Sequence, residues 1–363
     1  MSYMYTSNVG YSADVNAAIG KFDRPIKIII EEESNLCREQ GQFDKLIYNV
    51  ASSDRFAEAY FLENELGILS AVEEGGEGAE LSSKEIAKHY VEHTEFKGDC
   101  VINKTLIEDS NRNEIAKRVR KLVRSYWLTR YEFAQQALYK GLAPSMSFAG
   151  KSFDLTTPDG KSLFNKAHTY GTGEGAGVQS NNFYYSGDAT VDSDLIAELI
   201  SAMAVMGRQM RSENGTPLGY TFNKIYIPGN RFALENAVRR AIGTQYRPGV
   251  SDNDINVIAG GWQLIVLPLW ESDVDRFIIQ SDESNRYNGG SMFYDRTPFQ
   301  ITRNDNFDRN DNVLLHGRAR MSIVHNSYKH LMMCSLVGTS GAAYDAATSN
   351  DPNTVGAATK LDI

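Results

Sequence analysis

The longest run of regularly spaced apolar residues lies between residues 112 and 141. Apolar side chains recur there mostly at steps of three and four, at Ile115, Val119, Leu122, Tyr126, Phe133 and Ala137. Acidic and helix-capping residues precede the run at 108–111, and Gly141 and Pro144 follow it. The pattern predicts one amphipathic helix of roughly thirty residues, about 45 Å long. Such a helix is longer than one small domain needs to cover its core.

Apolar and polar residues alternate just before this helix. The alternation runs from Phe96 to Ile107 and is typical of a half-buried strand. Upstream, residues 66–72 and 86–96 form two further candidate strands, separated by an acidic, glycine-rich segment at 73–80. That segment has almost no apolar side chain to bury, so the pattern predicts either a long protruding hairpin or a mobile surface loop.

The N-terminal sixty residues show weaker patterns. Residues 1–25 are rich in Ser, Asn, Gly and Ala and are predicted to form a flexible or surface-draped arm. The β-branched run 26–30 predicts a short strand, and residues 43–50 have a helix-like pattern. Neither segment is long enough to form its own core.

The C-terminal half predicts a mixed α+β unit. After a polar, glycine-rich stretch at 145–190, the pattern predicts helices at 192–214 and 231–242 and strands at 225–227, 255–258, 262–267 and 276–279. Residues 313–324 and 329–334 are predicted to form two antiparallel strands, and the residues beyond Gly338 to form a loose tail.

Composition narrows the class of protein. The 363 residues are 42% hydrophobic and include 37 Lys and Arg against 46 Asp and Glu, a net charge of −9. The chain can therefore bury a substantial core, divided into two subdomains, but it is not expected to have a dominant phosphate-binding surface. Three scattered cysteines, and no signal-peptide or membrane-spanning pattern, favour a folded protein in a reducing cytosol.

The polar face of the long helix is basic although the chain is acidic. It carries Arg112, Lys117, Arg118, Arg120, Lys121, Arg124 and Arg130. A solvated helix face is one interpretation. A docking surface for acidic neighbours is the other.

One short motif has a catalytic interpretation. His89, Glu92 and His93 match the HxxEH pattern of inverted zinc metallopeptidases, in which two histidines on a helix hold Zn²⁺ and the glutamate acts as general base. The pattern needs a third ligand from a following helix, whereas the next segment is a predicted strand. Polar residues on a strand are the simpler interpretation, and a zinc hydrolase is the alternative from another class of function.

The remaining candidates lack the context that their chemistry needs. The glycine-rich segment 171–177 follows no apolar strand and contains Glu174, which would repel a phosphate. His168, His316, His325 and His330 have no ligand or triad spacing and are expected to be structural.

The order of these parts resembles the major capsid protein of tailed bacteriophages, with the Hong Kong 97 type of fold. The segments that carry the resemblance are 90–109, similar to the strand that enters the family's spine helix, 161–168, 226–237, 262–266 and 318–324. The similarity extends over about residues 40–336 and rests on residue types in sequence order.

The resemblance implies an α+β fold with an N-terminal arm, an extended β-hairpin loop, a peripheral domain with a long spine helix, and an axial domain. The corresponding boundaries are 1–60 for the arm, 61–98 for the loop, 99–144 for the peripheral domain, 145–312 for the axial domain, 313–340 for the return strands of the peripheral domain, and 341–363 for the tail. The pattern contains no long helical prodomain and no built-in protease. Scaffolding during assembly is therefore left to a separate scaffold protein or to a short arm.

The implied function is structural, without a catalytic residue, metal or cofactor. Copies of the chain would form hexamers and pentamers of an icosahedral shell, assembled in the bacterial host cytoplasm, that encloses double-stranded DNA without binding it specifically and involves no membrane. Scaffolding, decoration and portal proteins are further implied partners, and an encapsulin-like compartment is the related alternative. The expected assembly contacts join the acidic tip of one subunit to the basic helix face of the next, through Glu73, Glu74, Glu77, Glu80, Arg112, Lys117, Arg118, Arg120, Lys121 and Arg124.

Overall fold

The structure is a computed structural model. It describes residues 5–7, 13–63, 71–72, 77, 85–103, 106, 112–171, 176–186, 191–243, 256, 258–287, 289–306, 312–337 and 358–361. The helices are α1 (Ala13–Gln40), α2 (Phe43–Ile47), α3 (Arg112–Tyr139), α4 (Ser193–Arg208), α5 (Phe232–Gly243) and α6 (Asp282–Tyr287).

The strands alternate with these helices along the chain. They are β1 (Tyr5–Ser7), β2 (Asn49–Ser52), β3 (Ala57–Glu63), β4 (Glu85–Glu92), β5 (Thr94–Ile102), β6 (Ser145–Phe148), β7 (Lys151–Asp154), β8 (His168–Tyr170), β9 (Gly177–Gln179), β10 (Asn182–Ser186), β11 (Lys224–Pro228), β12 (Gln263–Leu267), β13 (Asp275–Gln280), β14 (Ser291–Asn306), β15 (Asn312–His325), β16 (Leu331–Val337) and β17 (Thr359–Lys360). The predicted α+β class is confirmed.

One compact unit comprises residues 1–58, 91–134 and 293–323. Its five-stranded sheet has the order β1-β14-β15-β5, with β2 beside β14. Helix α3 buries a stripe at four-residue steps against this sheet, and α1 adds two isoleucines to the same core. The core residues are Ile26, Ile30, Ile102, Ile115, Val119, Val123, Trp127, Phe299, Ile301, Val313, Leu315 and Ala319.

The other compact unit comprises residues 59–90, 135–292 and 324–363. Its six-stranded sheet has the order β12-β11-β13-β16-β10-β17 and mixes parallel with antiparallel pairs. Helices α4 and α5 contribute buried apolar residues to a large core with this sheet, in which Ile200, Leu234 and Phe277 are fully buried. The Asp192 carboxylate accepts the Ser193 backbone N–H at 2.6 Å and so caps the N-terminus of α4.

Several other predicted elements are confirmed. Helix α3 occupies 28 of the roughly thirty residues predicted. Helix α5 and strands β11, β12 and β13 agree with the predicted bounds to within one residue. Strands β4 and β5 overlap the predicted strands 86–96 and 96–107, but they divide at His93 and β5 ends at Ile102. Helix α4 ends at Arg208, earlier than the predicted end near residue 214. In the segment 255–258, only residues 256 and 258 are described, and neither lies in a strand.

The N-terminal prediction is wrong in two respects. Residues 13–40 form one 28-residue helix that contains Pro25, so the described part of the predicted arm is helical from Ala13. The predicted strand 26–30 also lies inside α1. The weak helix propensity of its isoleucines is outweighed by the burial of Ile26 and Ile30, which are only 5% and 4% exposed.

The C-terminal prediction is also wrong in part. Strands β15 and β16 do not pair with each other: β15 pairs with β5, and β16 pairs with β13 and β10. The 16-residue strand β14 was not predicted. In the predicted loose tail, β17 pairs with β10 and Leu361 is buried in the core; residues 338–357 lie outside the described residues.

Candidate assembly site

Strands β3 and β4 pair as a two-stranded sheet. The second foot of the predicted hairpin, β4, overlaps the predicted strand 86–96, whereas the first foot, β3, ends before the predicted strand 66–72 begins and was not predicted. None of the residues in either strand is buried. Phe61 and Tyr90 are 42% and 60% exposed, and the Lys88 ammonium lies 4.6 Å from the centre of each ring. An isolated two-stranded hairpin is marginally stable in water. The two strands are covered only in part by the described residues, and their partly buried side chains include Tyr60, Leu62, Ile86 and Val91.

The acidic tip of the hairpin lies mostly outside the described residues. Glu73, Glu74 and Glu80 belong to that part of the chain, as do residues 66–70 of the predicted strand 66–72. Glu77 is described and exposed. The contacts of the tip stay a prediction.

The basic face of α3 is partly occupied by its own chain. The carboxylate of Glu33 on α1 accepts a hydrogen bond from Arg124 and lies 3.8 Å from the Arg120 guanidinium. Glu33 is only 4% exposed, whereas the two arginine side chains keep 67% and 47% of their surface exposed. Two residues of the predicted docking surface are therefore already paired, although both remain accessible.

The other cations of this face differ in their partners. The Lys117 ammonium donates to Glu114 at 2.6 Å, and an Arg118 N–H donates to the Val101 carbonyl at 2.7 Å. Lys121 is exposed, and Arg112 is the first residue of the helix. Exposed pairs such as Lys117–Glu114 contribute roughly 0–1 kcal/mol each. They leave the face available to a second acidic surface.

Arg130 does not belong to the exposed face, so its assignment there was wrong. Its side chain is 5% exposed and binds both oxygens of Asp295, at 2.5 and 2.9 Å, and Asp44 at 2.8 Å. The guanidinium also lies 4.2 Å from the centre of the Phe293 ring. The sequence held a signal for this position, because Arg130 follows Trp127 by three residues and so continues the buried stripe of α3.

The helical zinc-site alternative is not favoured. His89 lies on β4 and His93 directly after it, so the motif is on a strand and not on a helix. Both ring nitrogens of His93 are within hydrogen-bond distance of serine hydroxyls, Ser322 at 2.8 Å and Ser53 at 3.0 Å. Within the described part of the chain, no three His, Cys, Asp or Glu side chains are grouped so as to hold a metal ion.

The other histidines have structural partners. His168 is fully buried, contacts Asp159 at 2.8 Å and stacks on Tyr328 with ring centres 3.7 Å apart. His325 and His330 are buried and each lies 2.8 Å from the Ser291 hydroxyl, and His316 pairs with Asp99 between β15 and β5. The expected structural role of these four histidines agrees with the contacts. In the glycine-rich segment 171–177, residues 172–175 lie outside the described residues.

Among the described helices, none combines the length and the apolar composition needed to cross a membrane.

Comparison with known proteins gives no match to a family model and no match to a curated protein. Solved structures of similar fold include one of Mycobacterium phage Patience, with 13% identity, a TM-score of 0.48, and coverage of 93% of this chain and 94% of that chain. A capsid of an empty GTA particle has 12% identity and a TM-score of 0.46, with 81% and 89% covered. A virus-like particle from Pyrococcus furiosus has 10% identity and a TM-score of 0.44, with 86% and 98% covered. The three structures are therefore those of a phage, a capsid and a virus-like particle.

Proposed function

We propose that this chain is a non-enzymatic shell protein, the major capsid protein of a tailed phage or prophage with a Hong Kong 97-like fold. Copies of the chain assemble into hexamers and pentamers of an icosahedral head that encloses double-stranded DNA. The sequence resemblance supports this proposal. The presence of one unit with a long helix on a five-stranded sheet, and of a second α+β unit, supports it as well.

The observation that carries the proposal is the hairpin without buried side chains. Strands β3 and β4 expose Phe61 and Tyr90, and the tip beyond them is rich in glycine and glutamate. The glycine and glutamate residues of the tip lose conformational entropy when they are ordered, and they bury little apolar surface in return. A neighbouring subunit that covers the hairpin supplies the missing burial, which makes folding of this segment and assembly a single process.

The charge of the chain fits an enclosing wall. With a net charge of −9, the subunit repels DNA at long range and does not bind it through a general basic surface. We extend the proposal to the peripheral and axial domain boundaries that the resemblance implies, to a location in the virion capsid, and to scaffolding, decoration and portal partners. The contact between the acidic tip and the basic face of α3 is part of the same proposal.

Deletion of Glu73–Glu80 tests the proposal. Electron microscopy of the purified full-length chain should show closed shells, whereas the deletion variant should stay as folded subunits or open assemblies. Because β3 and β4 hold no buried side chain, thermal unfolding of the variant's subunits should match that of the dissociated full-length chain.

Three outcomes would contradict the proposal in whole or in part. Normal closed shells from the deletion variant would show that the hairpin tip has no part in assembly. A full-length chain that stays monomeric at high concentration would remove the capsid function itself. Particles that enclose protein cargo and no nucleic acid would contradict the phage assignment and support the encapsulin-like alternative.

A further inference from the structure

His93 occupies a special place in the chain, because it is the one residue between strands β4 and β5. It therefore lies where the second strand of the hairpin enters the five-stranded sheet. The side chain is buried, with 7% of its surface exposed. Its Nδ1 atom lies 2.8 Å from the Ser322 hydroxyl on β15, and its Nε2 atom lies 3.0 Å from the Ser53 hydroxyl after β2.

The partners of Ser53 determine where the imidazole proton lies. The Ser53 hydroxyl donates its only proton to a carboxylate oxygen of Glu58, and its oxygen accepts the Arg55 backbone N–H at 3.1 Å. Ser53 is thus left only to accept from His93, so Nε2 carries a proton. Burial keeps the pKa of His93 below 6.5, so at neutral pH the ring is uncharged and Nδ1 accepts the hydroxyl proton of Ser322.

These four residues, Ser53, Glu58, His93 and Ser322, form a continuous hydrogen-bonded chain that we name the His93 network. Glu58 lies in the first strand of the hairpin and His93 at the end of the second, so the network links both feet of the hairpin to β15. Beyond the feet, the two strands have no buried side chain. The network is therefore a largely buried polar link between the base of the hairpin and the five-stranded sheet.

The surroundings of the ring oppose a positive charge on it. The titratable and charged groups around His93 are Glu58 on β3, Tyr294 and Arg296 on β14, Arg320 on β15, and the exposed Glu92 beside it in the chain. Burial lowers the pKa of His93 below its usual 6.5, and the two arginines lower it further, whereas the Glu58 carboxylate acts in the opposite direction. A proton on Nδ1 would also turn the Ser322 hydroxyl from donor to acceptor.

We propose that His93 makes the base of the hairpin sensitive to acid: the neutral ring holds both feet to the sheet, and protonation of Nδ1 releases them. This inference goes beyond the proposed function, because the His93 network lies within one subunit and exists whether or not shells form. Since the folded pKa lies below 6.5, the stabilisation by the network is complete above pH 6.5 and is lost as the pH falls through the folded pKa.

Hydrogen–deuterium exchange of the full-length chain tests the proposal. Exchange of the β4, β5 and β15 amides, corrected for intrinsic rates, is compared at about pH 7.5 and about pH 5. We expect protection next to position 93 to be lost at the lower pH. A His93→Gln variant should keep its protection at both values, because the neutral amide can donate to Ser53 and accept from Ser322.

A matched control is His316→Gln, which removes a histidine exposed on the same pair of strands, opposite Asp99. This variant should respond to pH as the unchanged chain does. If His93→Gln shows the same loss of protection as the unchanged chain, the proposal is wrong.

A direct measurement keeps the test valid if His93→Gln does not fold. Nitrogen chemical shifts of the His93 ring should report a neutral Nε2–H tautomer at about pH 7.5 and a pKa below 6.5. A ring that is protonated at about pH 7.5, or that carries its proton on Nδ1, would overturn the proposal.

Discussion

The buried cluster around Arg130 gives the sharpest prediction for stability. Replacing Asp295 with Asn keeps the size of the side chain and removes its charge. Asp295 accepts two hydrogen bonds from the guanidinium, and all three charged side chains of the cluster are only 5% exposed. Removing one partner of a buried ion pair costs about 3–5 kcal/mol, because the other charge stays buried without full compensation. Asp44 keeps one bond to Arg130, so we expect the lower part of this range.

The assay is denaturant or thermal unfolding of the dissociated subunit, followed by circular dichroism. A loss of about 3 kcal/mol should lower the Tm by on the order of 10 °C for a unit of this size. The control is Arg318→Gln, which breaks the pair with Glu95 on the same sheet, where the two side chains are 45% and 30% exposed. We expect that variant to lose less than about 1 kcal/mol.

Comparison of the two variants shows whether burial of the ion pair determines how much unfolding free energy is lost. If Asp295→Asn and Arg318→Gln destabilise the subunit equally, the Arg130 cluster is as well hydrated as a surface pair and our reasoning about its burial is wrong. A double variant with Asp44→Asn should be non-additive, because both carboxylates bind one guanidinium.

Two further predictions concern the unit with the six-stranded sheet. Gly207→Ala should destabilise it by about 1–3 kcal/mol, because the added methyl would overlap the Phe222 ring. The control is Gly243→Ala, which should be close to neutral in the same unfolding assay because no heavy atom lies within 4 Å of the added methyl. Burial lowers the pKa of His325 to about 4 and that of His330 to about 3, so their contribution to stability should be lost as the pH falls from 6.5 towards these values. A His330→Gln variant should lose less Tm than the unchanged chain over that pH range. If the Tm of the variant depends on pH as that of the unchanged chain does, His330 is not a source of the loss.

The sequence predicts the elements whose burial is periodic and local. Helix α3 is the clearest case, since Ile115 and Val119 recur at a helical step and both are buried. The helix α5 and strand β11 follow from patterns of the same kind. In each of these elements, the apolar face visible in the sequence is the face that packs in the structure.

Helix α1 was missed because its packing partner is distant in the chain. Pro25 and the isoleucines of 26–30 oppose a helix locally, yet Ile26 and Ile30 share a core with α3, which begins more than eighty residues later. The pairing of β15 and β16 with different sheets failed for a related reason. Two adjacent strands are expected to pair with each other, and only contacts distant in sequence assign them to separate sheets.

The candidate site shows the same limit for charged residues. The sequence placed Arg124 and Arg130 on one basic face, because both are cations on the same helix. The structure separates them, since Arg124 is exposed beside Glu33 and Arg130 is buried between two aspartates. Composition shows how many charges a helix carries, but the partners of each charge come from other elements.

The hairpin and the basic face therefore contribute differently to the proposed assembly. Exposed ion pairs between the acidic tip and α3 would contribute roughly 0–1 kcal/mol each, and Glu33 already occupies part of that face. Full burial of an exposed Phe-sized side chain contributes about 1.5–3 kcal/mol. Phe61 and Tyr90 are 42% and 60% exposed, so covering both would contribute about that amount in total, which exceeds the effect of any single pair. In the proposed assembly, ion pairs would select which surfaces meet, because they depend on direction and sign, whereas the aromatic side chains of β3 and β4 would supply most of the free energy that keeps the surfaces together.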